Sequence, residues 1–266
     1  MADLKHIEIL LDGQMVSATE GETVLSVAKR VGVYIPSLCH HDALIPSGAC
    51  RLCLVEIAKE NGLDHREKDV VAACQYPVSK GLIVRTNTPR VLGHRRIVIS
   101  LLLAKAPETP LFKALARSVG KPVIYRESER KDSCILCTLC TRTCAATGAN
   151  ALSTSGRGYE KMIAPPYRFG EGGCIGCGAC FRACPTGHIA MTQTDDTRVI
   201  WDHVFERIHC KICGAPTVTK EQLQFLTAHS GLSEDYFIVC ASCKQKETAK
   251  TFAKVSEPLP GGSDAK

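Results

Sequence analysis

The sequence has 266 residues, 45% hydrophobic but only 5% aromatic, with 33 basic against 27 acidic side chains and a formal charge of +6. That charge reads as a mixed solvated surface, not a nucleic-acid footprint, and the longest apolar run, Ile97 to Ala104, is too short to span a bilayer. Sixteen cysteines are far above ordinary usage and all fall in groups with ligand spacing, so metal ligation is expected to add stability that apolar burial does not.

His6 to Leu11 alternates weakly and reads as a strand, Asp12-Gly13 as a turn, and Gln14 to Ser17 as the return of a hairpin. Val24, Val27, Ala28 and Val31 stand at helical spacing, and Gly32 ends that helix. Short strands fit Leu52 to Ala58, Val70 to Ala73 and Leu82 to Thr86. Two strands, a helix and further strands give the order of a β-grasp sheet with one helix packed across it. Residues 1–87 also hold Cys39, Cys50, Cys53 and Cys74, spaced C-x10-C-x2-C-x20-C. Four thiolates on a long loop and a distant strand suit a flat 2Fe–2S cluster with two ligands per iron. The plant-type spacing has a shorter first gap, so the loop here must bulge. A zinc knuckle would want a second C-x2-C pair. With a core and four ligands of its own, a fragment ending near Thr86 is expected to fold and assemble its cluster.

Residues 88–126 read as a helical connector without cysteine. Thr88 is a helix N-cap with Pro89 at the first helical position. Pro107 stops that helix, and Leu111 to Val119 is a second helical stretch. Residues 127–200 carry CILCTLCTRTC (Cys134, Cys137, Cys140, Cys144) and CIGCGACFRACP (Cys174, Cys177, Cys180, Cys184). Each is C-x2-C-x2-C-x3-C, and three thiolates at this spacing sit on one tight loop and point inward. They hold three irons of a cubane, and the fourth ligand must come from outside the loop. In two-cluster ferredoxins it comes from the other run. Cys134, Cys137, Cys140 and Cys184 are therefore assigned to one 4Fe–4S cluster, and Cys174, Cys177, Cys180 and Cys144 to a second. Gly176 and Gly178 let backbone approach sulfur closely.

Residues 201–248 hold two further C-x2-C pairs, Cys210 with Cys213 and Cys240 with Cys243. Paired knuckles suit a tetrahedral, zinc-ribbon-like zinc site. A third 4Fe–4S cluster is the alternative, because four thiolates suit either metal. Between the pairs, Thr219 caps a helix with Gln222 at N3, Val218 and Leu223 form a staple, and Gly231 closes it. Residues 249–266 read as a disordered tail.

The start DGQMVSATEGETVLSVAKRVGVYIPSLCHH, the GACRLCLVEI turn, Cys74 before Gln75-Tyr76-Pro77, and the GRG at Gly156 to Gly158 carry a resemblance. Residues 1 to about 200 resemble the amino-terminal iron–sulfur region of the large electron-transfer subunit of complex I. They are also similar to the small diaphorase subunit of NAD-reducing hydrogenases. The resemblance implies a 2Fe–2S ferredoxin domain fused to a double-cubane domain, working as a wire inside a larger enzyme. In those families an H-x3-C-x2-C-x5-C motif after the helix binds another 4Fe–4S cluster. Here that segment is AKAPETPLFKALARSVG, with no cysteine between Cys74 and Cys134, so that station is absent.

The sequence thus reads as an α+β electron-transfer subunit with one 2Fe–2S cluster, two 4Fe–4S clusters and one zinc. Its expected partners are a flavin/NAD(H)-type subunit and a catalytic subunit such as a hydrogenase or formate dehydrogenase. No nucleotide motif or nucleophile–base set is present, so independent catalysis is not expected. The beginning of the chain shows no basic-then-apolar leader pattern, and thiolates suit the reducing cytoplasm. Two rival readings are a regulatory protein binding nucleic acid through the C-terminal knuckles and a self-contained reductase.

Overall fold

The computed structural model describes residues 5–59, 69–120, 123, 132–165 and 173–255. It divides into two compact units: residues 1–148, 152–164 and 179–188, and residues 149–151, 165–178 and 189–266.

The first unit begins with β1 (His6–Leu11) and β2 (Gln14–Thr19), an antiparallel hairpin, followed by α1 (Val24–Arg30). Strands β3 (Leu54–Lys59), β4 (Asp69–Ala72) and β5 (Leu82–Arg85) complete a sheet of order β2-β1-β5-β3-β4. Only the β1–β5 pair is parallel, which is the β-grasp order expected from the sequence. Ile7, Ile9 and Leu11 face inward from alternate positions of β1 and meet Val24, Leu25, Val27 and Ala28 of α1 in one apolar cluster. Thr23 caps α1 by accepting from the Ser26 amide at 3.2 Å.

Asp12, at the hairpin turn, has a φ of +47°. Its carboxylate accepts from the Thr86 amide at 2.7 Å and the Thr86 hydroxyl at 2.6 Å, pinning the turn to the end of β5. Thr86 is fully buried, so removal of the acceptor leaves its amide and hydroxyl without this partner. Asp12→Ala is expected to cost about 2–3 kcal/mol, read as a lower urea midpoint at unchanged slope. A shift below the error of the titration would remove this account of the turn.

Helix α2 (Pro89–Lys105) starts as read, with Thr88 accepting from the Val91 amide at 3.2 Å. It is followed by α3 (Pro110–Val119). These helices do more than connect. Ile99 of α2 and Phe112, Ala116 and Val119 of α3 form one apolar cluster with Leu38, Cys39, Cys50 and Leu52 from the first cysteine loop. Arg95, 2% exposed, donates to the Leu54 carbonyl at 2.7 Å, and the Thr88 hydroxyl donates to the buried Glu56 at 3.1 Å. Part of the apolar core around that loop thus lies in α2 and α3, beyond the Thr86 end expected for an independent fragment. The unit continues with α4 (Leu139–Ala146), a two-stranded ribbon of β6 (Ser153–Ser155) and β7 (Met162–Ala164), and α5 (Ala179–Ala183).

In the second unit β8 (Met191–Gln193), β9 (Thr197–Ile200), β10 (His203–His209) and β11 (Pro216–Thr219) form a sheet in the order β11-β10-β9-β8. Helices α6 (Lys220–Ser230), α7 (Glu234–Ile238) and α8 (Ala241–Val255) follow. Thr219 caps α6 through the Gln222 amide, and Gly231 ends it in the left-handed conformation. Helix α8 extends to Val255, into the stretch read as tail; residues 256–266 lie outside the described residues. Among the described residues, no helix is long and apolar enough to cross a membrane.

Candidate metal centres

Cys39, Cys50, Cys53 and Cys74 are all buried. The loop from Cys39 to Cys53 curls through two left-handed residues, Gly48 at φ +62° and Arg51 at φ +54°. The positive φ of Gly48 favours glycine at this bend, where a Cβ would also displace the flexible end of the Gln75 side chain, beside Cys74. The Cys50 amide donates to Cys39 Sγ at 3.4 Å. The sulfurs interact in two pairs. A hydrogen bond from Cys50 pulls the Cys39 thiol down to about 5, while the same bond and burial push Cys50 up. Cys53 is pulled down to about 7 by Cys74, which moves up in turn. Four buried thiols on one loop and just after β4 form a donor set that fits a 2Fe–2S group.

The two four-cysteine runs share one backbone device. Leu136 and Thr138 in the first run have φ of +53° and +59°, and Gly176 and Gly178 at the matching positions of the second have +62° and +73°. The first run thus carries ordinary side chains in a conformation that disfavours them by about 1–2 kcal/mol per residue. Such strain is retained where the fold over-determines it, commonly at functional sites. Helices α4 and α5 each start immediately before the third cysteine, fixing Cys140 and Cys180 on first turns. Burial raises the Cys134, Cys137 and Cys140 thiols, the last to about 12, and Cys184 adds a repulsion felt by both Cys134 and Cys137. Cys39 adds a further repulsion at Cys137. Cys174 and Cys177 belong to the second unit, whereas Cys144 and Cys180 belong to the first.

Cys134 lines a cleft of about 380 Å³ with Leu136, Lys105, Asp132, Lys161 and His188. Asp132 accepts from the Cys134 amide at 3.1 Å and pairs with Lys105 at 3.5 Å. His188 Nδ1 lies 3.5 Å from the Ser133 hydroxyl.

Arg142 is the residue that sequence reasoning missed. It lies on α4 between Cys140 and Cys144. Nη1 donates to the Ile45 carbonyl at 2.7 Å, and Nη2 to the Cys39 carbonyl at 2.6 Å and the Cys137 carbonyl at 3.5 Å. Its only sequence signal was a basic residue inside a ligand run, which does not reveal a partner more than ninety positions away.

Cys210, Cys213, Cys240 and Cys243 bring their sulfurs within 4.8 Å of one another. The Cys213 and Cys240 sulfurs are 3.6 Å apart. Backbone amides of Cys240, Cys213 and Ile212 stabilise the Cys210 thiolate and pull it to about 6, while hydrogen bonds to Cys213 and Cys240 push Cys243 up to about 12. Lys244 stacks over Tyr236 at 3.6 Å, and Lys211 pairs with Asp235 at 2.7 Å, tying both knuckles to α7.

Residues 5–89 match the family of 2Fe-2S iron–sulfur cluster binding domains, and residues 133–188 match the 4Fe-4S dicluster domain. The chain is an iron–sulfur protein. Its first three cysteine groups fall within these matches. The chain is 29% identical over 76% of its length to the NADP-reducing hydrogenase subunit HndD of Solidesulfovibrio fructosivorans, covering 38% of that relative. It is 29% identical over 60% of its length to the mitochondrial NADH-ubiquinone oxidoreductase 78 kDa subunit of Candida albicans, covering 25% of it. A solved NAD+-reducing [NiFe]-hydrogenase in the H2-reduced state aligns with a TM-score of 0.50 at 28% identity, over 60% of this chain and 75% of the other. This iron–sulfur protein is thus related to subunits of multisubunit oxidoreductases and spans well under half of the two curated relatives just named.

Proposed function

We propose that the protein is an electron-transfer subunit, relaying single electrons between a flavin/NAD(H)-type subunit and a second catalytic subunit such as a hydrogenase or formate dehydrogenase. The observation that carries this reading is the apolar cluster in which Cys39 and Cys50 of one ligand group pack with Cys137 of another. Two one-electron groups held behind a common apolar wall suit exchange between them. When bound, the clusters supply one-electron redox chemistry; the chain supplies thiolates, burial and amide hydrogen bonds to sulfur, which set their potentials. The ligand sets are those read from the sequence: Cys39, Cys50, Cys53 and Cys74 for 2Fe–2S, and the two crossed sets for 4Fe–4S.

For Cys210, Cys213, Cys240 and Cys243 the separations favour a single zinc ion. Four sulfurs at about 2.3 Å from one tetrahedral ion lie about 3.8 Å apart, near the 3.6 Å between Cys213 and Cys240. Around a cubane each thiolate binds a different iron and the sulfurs stand farther apart. Anaerobic metal analysis is expected to give about 10 iron and one zinc per chain. A value of about 14 iron without zinc would replace the zinc with a third cubane.

The functional test is anaerobic purification with partners. The full chain is expected to co-purify with a flavin-bearing subunit and to be reduced by NADH or NADPH only in its presence. Reduction of the isolated chain by either nucleotide would favour a self-contained reductase and sink the relay.

A further inference from the structure

We propose that Arg142 is a positioning residue that locks the 2Fe–2S ligand loop directly onto the first cubane loop. The junction would hold these two groups for direct one-electron exchange when both clusters are bound. This inference rests on the relay reading above.

The geometry is specific. A single nitrogen, Nη2, donates to the carbonyls of Cys39 and Cys137, one from each ligand group, while Nη1 of the same fork holds the Ile45 carbonyl farther along the first loop. Nε donates to Thr138 Oγ1 at 3.3 Å, fixing the guanidinium against its own cubane loop. Thr138 is one of the two left-handed residues that shape that loop. The guanidinium is planar and its donors stand in a rigid fork, so it sets distance and orientation together. Lysine has one nitrogen on a flexible stem and cannot reproduce both arms. The Arg142 bonds to Cys39 and Cys137 are part-buried, while the Ile45 arm of the fork is exposed. A bonded route from Cys39 to Cys137 thus runs through the backbone carbonyl of each and one shared nitrogen.

The step is a plain electron exchange. One cluster is oxidised by one electron as the other is reduced by one, and no bond or proton changes hands. The chain's part is to hold the two ligand loops at fixed separation and to place a cation between them.

The test uses full-length holoprotein under anaerobic conditions, as wild type, Arg142→Gln and Arg142→Lys, each with its iron content measured. Electrons are injected by a flash-reduced dye, and redistribution between the clusters is followed by freeze-quench paramagnetic resonance. Arg142→Gln is expected to slow redistribution several-fold, because the two ligand loops are no longer held at one separation. It should also weaken the magnetic interaction between the reduced clusters and lower both midpoint potentials, because a cation that stabilises the reduced forms is gone. Arg142→Lys should restore the potentials but not the rate. Wild-type redistribution and magnetic interaction in Arg142→Gln would overturn the proposal. If Arg142→Gln does not retain its iron, Arg142→Lys decides by the same rate, and wild-type redistribution there overturns the proposal. A wild-type protein whose clusters accept no electrons from the flavin-bearing partner would instead sink the relay itself, a result visible before any variant is made.

Discussion

A chain cut after Thr86 is expected to lose its 2Fe–2S cluster, and a chain cut after Gly120 to keep it. The shorter fragment retains every cysteine of the group and the whole five-stranded sheet. It loses Ile99, Phe112, Ala116 and Val119, which cover Leu38, Leu52 and the Cys39 and Cys50 side chains. Uncovering Leu38 and Leu52 alone costs about 1.5–3 kcal/mol each. The cut also removes the Arg95 hydrogen bond to the Leu54 carbonyl and the Thr88 hydrogen bond to Glu56, each a bond to a charged group contributing about 1.5–3 kcal/mol. The sum is comparable with the whole stability of an ordinary domain, about 5–15 kcal/mol. Iron analysis and visible circular dichroism of both fragments would check this. A fragment of residues 1–86 holding about two iron per chain would show that α2 and α3 are dispensable for the site.

Gly176→Ala should remove the cluster assigned to Cys174 and Cys177 while sparing the 2Fe–2S group. The added Cβ would lie 2.6 Å from the ring of Phe205, which is 1% exposed. The residue would also keep a φ of +62° against its preference. Overpacking at about 1–3 kcal/mol adds to about 1–2 kcal/mol for the left-handed backbone. The loop cannot yield easily, because Arg198 Nη1 holds the Gly176 carbonyl at 2.6 Å. Leu136→Gly is the matched control at the corresponding place in the first run. It relieves the left-handed strain there, so iron content is expected to stay at the wild-type value. Equal iron in both variants would mean that Phe205 does not set the shape of the second loop.

Much of this was legible in the residues. Alternation along His6–Leu11, the Asp12-Gly13 turn and the Thr88-Pro89 start encode local geometry in local chemistry, and the structure follows them closely. Cysteine spacing works the same way, since a ligand loop is a short-range object. What was not legible is long-range. Leu38 and Phe112 look like ordinary apolar residues, and only the packed chain shows that they share a core. Arg142 reaches Cys39 across about a hundred residues, and no periodicity marks such a contact. Strands β10 and β11 were missed because His203–His209 mixes charged and aromatic side chains around only two buried positions. The run read as tail has the polarity of a disordered segment, yet α8 continues through it to Val255 beyond the knuckle at Cys240 and Cys243.

Sulfur exposure changes along the chain. The first four cysteines are all buried, Cys134, Cys174, Cys177 and Cys184 are half-buried, and Cys213 is exposed. Oxygen and chelators meet metals where sulfur meets solvent, so damage has a built-in order. A metal held at the knuckle with Cys213 is therefore expected to exchange first, clusters on the half-buried cysteines of the two runs next, and a cluster on the four buried cysteines last. Visible spectra of holoprotein left in air are accordingly expected to lose the broad absorption of 4Fe–4S groups before that of the 2Fe–2S group.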